Sequence, residues 1–169
     1  MTHYEVKATD TKKFTLTASD LEIGTLQYEN WFSFKADIVL ADGTTYRVVP
    51  KGFWGTTIEL KTDDTVLLNF KMNWSGNIVI KMLDDEKNDF IFKPEGLLKS
   101  SFFLLDREER ELIVIQPDFQ WSKLNYNYTL STGDEFGRLP YQEMLLLATV
   151  YCVNYYMAMV TSTAVAASA

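Results

Sequence analysis

Thiols, imidazoles and positive charge are all scarce in this chain. The single cysteine, Cys152, excludes an internal disulfide and leaves nothing that calls for an oxidising compartment. The single histidine, His3, lies near a terminus expected to fray, so a histidine-based nucleophilic site has no well-placed base. A Cys-His pair would also need Cys152 exposed, and its apolar surroundings predict a small buried hydrophobe. Lysine and arginine number 16 against 23 aspartates and glutamates, a formal net charge of −7 with pI near 4.7. That balance argues against nucleic acid, whose phosphates need dense Lys/Arg contacts. The opening Met1-Thr2-His3-Tyr4-Glu5 has neither the basic nor the apolar region of a secretory signal, which predicts a cytoplasmic protein. The sequons at Asn73 and Asn127 then have no route to glycosylation.

Catalytic and cofactor patterns are equally thin, so no cofactor and no enzymatic activity are expected. Asp84, Glu86 and Asn88 alternate as calcium-loop ligands do. The glycine at the sixth place and the distal glutamate of an EF-hand are missing, and a solvated turn is the reading. Gly52-Phe53-Trp54-Gly55 lacks the spacing and the following Lys-Ser/Thr of a phosphate loop. The acids that can be placed, among them Asp37 and Glu59, point outward or sit in turns, so no inward carboxylate pair for glycoside chemistry is expected.

Charge disappears altogether after Glu143. The run from Met144 to Val160 has no helix breaker and is apolar on every side. A helix of that kind must be buried, in lipid or in the centre of a large core. Pro140 suits its first turn, and the helix is expected over about 140–163.

Before it, side chains alternate with period two, the mark of strands with one buried face. Tyr4, Val6 and Ala8 begin the pattern; Phe14 and Leu16 continue it. Leu21–Glu29 contains Gly24, read as a bulge or a close approach. Phe32, Phe34, Ala36, Ile38 and Leu40 share a face; Asp42-Gly43 is a strong hairpin signal, and Tyr46 and Val48 return inward. Ile58 and Leu60, then Leu68, Phe70 and Met72, follow across Asp63-Asp64. Asn73-Trp74-Ser75-Gly76-Asn77 turns the chain into Ile78, Ile80 and Met82. Phe90 and Phe92 point inward before Pro94-Glu95-Gly96, read as a break. Ser101–Leu105 and Leu112–Gln116 look apolar on both faces, as in doubly covered strands. The charged run 106–111 between them is read as a solvated tip. Pro117–Lys123 is read as irregular, and Leu124, Tyr126, Tyr128 and Leu130 form the last strand.

No linker divides the chain, so residues 1–169 are read as one domain. About twelve strands, from about residue 4 to about 130, must curl or close to remove their edges. Barrels of about eight strands are filled by side chains, whereas larger ones have room for a helix roughly 10–12 Å across. The expected fold is mainly β (α+β): a closed, roughly twelve-stranded antiparallel barrel wrapped around its own buried C-terminal helix.

Phe32–Leu40 and Thr44–Pro50 across Asp42-Gly43, the 73–77 turn, and Leu145–Val160 after twelve strands together resemble the tubby C-terminal-like superfamily. That group includes tubby-like proteins, phospholipid scramblases and LURP-one-related proteins, and the likeness runs the whole length in element order. It implies a non-enzymatic binding or scaffold domain that meets membrane phospholipid or a protein partner. Tubby domains bind phosphoinositides through cationic groups. Outward-facing Lys35, Arg47, Lys51, Lys61, Lys71 and Lys81 are the cations available, with Arg47, Lys51 and Lys71 the candidates for a lipid headgroup. The alternative is a tail-anchored membrane protein with residues 144–165 crossing the bilayer, since a span needs about 20 apolar residues.

Overall fold

The computed structural model describes residues 1–30, 33–52, 56–83, 89–95, 101–120 and 125–167, with backbone alone for Gln120 and 161–167. The first half of the wall is β1 (Thr2–Ala8), β2 (Lys13–Ala18), β3 (Leu21–Tyr28), β4 (Ala36–Leu40), β5 (Thr45–Lys51) and β6 (Thr57–Thr62). The second half is β7 (Thr65–Met72), β8 (Ile78–Met82), β9 (Phe90–Glu95), β10 (Ser101–Leu105), β11 (Glu111–Gln120) and β12 (Asn125–Thr132). A short 3-10 turn, Phe136–Arg138, leads to the helix α1 (Gln142–Ala167). Each strand pairs antiparallel with its sequence neighbour, and β1 pairs with β12 from Thr2↔Thr132 to Val6↔Tyr128, which closes the barrel.

Local chemistry makes the hairpins. At Asp42-Gly43 the glycine takes φ 89°, and the Asp42 carboxylate accepts the Thr44 N–H at 2.8 Å. The Asn73 side chain accepts the N–H groups of Ser75 and Asn77 at 3.0 Å, with Gly76 at φ 81°. Asp106 accepts the N–H groups of Glu108 and Arg110 at 2.9 Å, ordering the charged tip.

Alternation then fills the lumen. Ala36, Ile38 and Leu40 of β4, Ile58 and Leu60 of β6, and Phe90 and Phe92 of β9 are buried, while the residues between them face outward. From the axis, Met144 to Tyr156 of α1 are all buried. Among the described residues α1 is the one helix long and apolar enough to cross a membrane, and 72% of its Gln142–Val160 window is inside the barrel. The helix packs closely against the wall at Gly24. A Cβ there would stand 2.7 Å from the Val39 carbonyl oxygen and 3.1 Å from Leu147 Cδ1. Close approach is the reason for that glycine, and a register shift between Leu16 and Thr17 lies beside it.

Several expectations need correction. Pro94 does not break its strand, and Pro117 continues β11 to Gln120 instead of beginning an irregular stretch. Pairing of β9 with β8 ends at Ile78↔Phe92, and pairing of β11 with β10 ends at Phe102↔Ile115. Each proline thus lies past the end of one neighbour, where no ladder N–H is required. Pro50 does the same on β5, beyond the last β4 pair at Ala36↔Val48. Strands β10 and β11 are covered on one face only. Around a bulge at Leu104/Leu105 the adjacent pairs Leu104–Leu105 and Leu112–Ile113 are all buried, while Phe103 and Val114 remain half-exposed. The helix runs 142–167, not 140–163: Tyr141 at φ 56° separates it from Pro140. His3 is held in β1, where its Nδ1 is hydrogen-bonded to Ser131 Oγ at 2.9 Å, so that terminus is not frayed. Phe32 and Leu124, read as inward, lie outside the described residues, as do the 53–55 part of the aromatic turn and 84–88 of the acidic loop.

Candidate lipid-headgroup surface on the outer wall

The barrel's two ends differ. Connections leaving odd-numbered strands open at one end, and those leaving even-numbered strands at the other. The helix enters at the second end, where Tyr141, Gln142 and Glu143 share a groove with Leu40, Asp42 and Tyr46. It emerges at the first, where Tyr155 packs edge-on against Phe34 at 5.1 Å and Tyr156 reaches Gly76.

Arg47, Lys51 and Lys71 all face outward, yet the structure does not bring them together. Arg47 is opposite Asp37 and Lys61 in register, four residues along β5 from Lys51, about 13 Å at strand rise. Its guanidinium is engaged by Glu29 and by Asp37 at 3.9 Å. Burial nevertheless raises the Asp37 carboxyl above its ordinary range. Lys51 is held by Glu59 at 3.4 Å. Lys71 shares a row with Lys51, with Thr57 between them. Among the described residues it makes no ion pair.

The more open constellation is one strand further on. Val79 lies opposite Lys71, and Lys81 follows it on β8 at a diagonal, roughly 7–8 Å from Lys71. Both lysines line a groove of about 490 Å³ with Thr57, Asn69, Met72, Asn73, Val79 and Trp74. The Trp74 indole, at the tip of the 73–77 turn, is fully exposed. Two ammonium groups beneath an aromatic edge can hold a phosphate while the ring meets an apolar neighbour. Alternation places Lys81 on this face from sequence, but nothing in the sequence says that Trp74 escapes the core.

The remaining candidates are not assembled. His3 is on the exterior and Cys152 is buried in the lumen, where burial pushes the thiol pKa far up. Asp84, Glu86 and Asn88 lie outside the described residues. At the acidic end Arg107 pairs with Asp89 at 3.1 Å, Arg110 with Asp106 at 2.6 Å, and Arg138 with Glu135 at 3.0 Å, around a groove of about 400 Å³.

Inside, one polar cluster joins helix to wall. Asn154 Nδ2 donates to the Tyr28 hydroxyl at 3.1 Å, and its Oδ1 accepts the Tyr128 hydroxyl. Burial raises the pKa of both phenols. The Tyr151 hydroxyl donates to the Phe34 carbonyl at 2.9 Å, and its ring stacks on Tyr28 at 5.7 Å. No protein-family model, curated protein or solved structure matches the chain.

Proposed function

We propose that the chain is a non-enzymatic, cytoplasmic binding domain of the tubby-like type, meeting membrane phospholipid or a protein partner through its outer wall. The observation that carries this reading is the filled lumen. Side chains from Met144 to Tyr156 occupy the space in which a carrier barrel would hold its ligand, so recognition falls to the exterior. Closure of twelve strands around a C-terminal helix supports the tubby-like assignment. On the wall, Lys71 and Lys81 beside Trp74 offer a better phosphate site than Arg47 and Lys51, which acids already occupy. Soluble inositol trisphosphate is the probe. Calorimetry should give saturable binding to the full chain, weakened roughly tenfold or more by Lys71→Glu with Lys81→Glu. Absence of binding removes the phosphoinositide branch.

The second reading, a tail anchor over residues 144–165, is favoured by helix length and apolarity. It requires the helix to leave the lumen, to strand Asn154 in lipid and to expose the inward faces of all twelve strands. The binding-domain reading therefore expects protein that stays in solution without detergent.

A further inference from the structure

The helix does not stop where the barrel does. Among the described residues Tyr156 is the last fully covered side chain, whereas Met159 and Val160 are 38% and 37% exposed and the helical backbone continues to residue 167. The stretch beyond Tyr156 is about 16 Å long at helical rise, and no charge occurs in it or anywhere after Glu143. An ordinary water-facing helix end carries cations that answer its dipole; this one has none in its last turn. Trp74 stands fully exposed at the same end.

Charge is segregated along the same axis. At the helix-exit end the described connections carry Lys12 and Lys35 balanced by Asp10 and Glu29, and Lys71 and Lys81, which make no ion pair among the described residues, lie on the wall behind Trp74. Asp20, Asp42, Asp63, Asp64, Asp134 and Glu135 occupy connections at the opposite end, where Arg107, Arg110 and Arg138 are each held by an acid. Strands of six to eight residues rise roughly 20–26 Å, well beyond the ~8 Å Debye length at physiological salt. The far acids that set the net −7 are therefore screened from anything touching the helix-exit end.

From these observations we infer that the helix-exit end docks onto a bilayer surface, with the barrel axis along the membrane normal. Trp74 sits at headgroup depth, the Met159–Val160 segment of the helix dips among the acyl chains, and the flanking lysines meet anionic headgroups. Tryptophan favours that interface, and lysine stems reach from apolar surface to headgroup. Acids at the other end oppose docking the other way round. The inference rests on the binding-domain reading and names its partner as a lipid surface; it does not need a phosphoinositide-specific site.

Flotation of the full chain with phosphatidylcholine vesicles, with and without phosphatidylserine, tests it. The chain should float with both, and better with phosphatidylserine, each nearby lysine contributing roughly fivefold. Trp74→Asp and Val160→Asp, both at exposed positions, should each lower the bound fraction roughly tenfold. Leu21→Asp, at a 72% exposed apolar residue of the acidic end, should leave it unchanged. Brominated lipid should quench Trp emission, with part of that quenching lost in Trp74→Phe. Flotation unaffected by Trp74→Asp and Val160→Asp overturns the docking geometry but leaves a binding domain. No flotation of the unaltered chain overturns the lipid partner, while inositol trisphosphate binding still reports separately on the wall site. A dimer abolished by Trp74→Asp without lipid association shows a second copy on this end and also overturns it.

Discussion

Asn154 on the helix and Tyr28 on β3, 126 residues apart, share a 3.1 Å hydrogen bond in the centre of the barrel. With Tyr128 bonded to the other side of the same amide, one side chain fixes the rotation of the helix against two strands. Asn154→Ala leaves both hydroxyls buried without that partner and should cost roughly 2–4 kcal/mol in urea unfolding. Tyr28→Phe, Tyr128→Phe and Asn154→Leu combined should recover most of that loss, because an apolar set leaves nothing unsatisfied. A triple variant no more stable than Asn154→Ala would sink this account of the network.

Gly24 should not tolerate a methyl group. The nearest atom a new Cβ would meet is the Val39 backbone oxygen at 2.7 Å, which cannot swing aside as a side chain can. Gly24→Ala should destabilise by about 1–3 kcal/mol. Adding Leu147→Ala should give no relief, since it removes one neighbour at 3.1 Å and leaves the Val39 oxygen and the Leu40 Cα in place. Thermal melts of the two variants decide the matter.

Cys152 should be inert in the native protein. Burial both blocks access and raises the thiol pKa, so a maleimide should react only as fast as the barrel opens. Rapid stoichiometric labelling at neutral pH without denaturant would contradict the lumen position.

Alkaline pH should unfold the barrel. Burial raises Tyr28, Tyr128, Tyr151 and Cys152 above their ordinary values. Each stays protonated in the fold while the unfolded chain ionises near pH 8.5 for the thiol and 10 for the phenols. Their contribution is fully present below those values and is lost as pH rises through the window between unfolded and folded pKa. Each group removes about 1.4 kcal/mol per pH unit there. Denaturant midpoints should be level near pH 7–8 and fall steeply above about pH 10, with a shallower slope in Tyr151→Phe.

Removing Met144–Ala169 should abolish folding, because the inward side chains of twelve strands lose the surface they pack against. A truncated chain that remained monomeric with a sharp thermal transition would show that the helix is dispensable to the barrel.

The fold was largely legible because alternation is a local signal. Ala36, Ile38 and Leu40 declare their face within five residues, and the unrelieved apolarity of 144–156 has one economical place inside a closed wall. What stayed hidden depends on neighbours. Whether Pro50, Pro94 or Pro117 ends a strand is decided by where the adjacent strand stops, and that stagger belongs to the barrel as a whole. The doubled apolar pairs at 104–105 and 112–113 imitate a strand covered on both sides until the bulge is seen. The candidate site was legible only in part. Alternation set the lysines outward, but the acids that occupy Arg47 and Lys51, and the exposure of Trp74, arise from cross-strand register and turn geometry.

Closure by β1 against β12 also dictates when the chain can fold. Strand β1 must wait for β12, and the helix that fills the interior is synthesised after both. Until it appears, a growing meander shows water an apolar face and an open edge for β1. Contacts this distant in sequence form slowly, so the barrel should close only after α1 has been synthesised. A stalled nascent chain is then a natural client for a chaperone that shields strand edges.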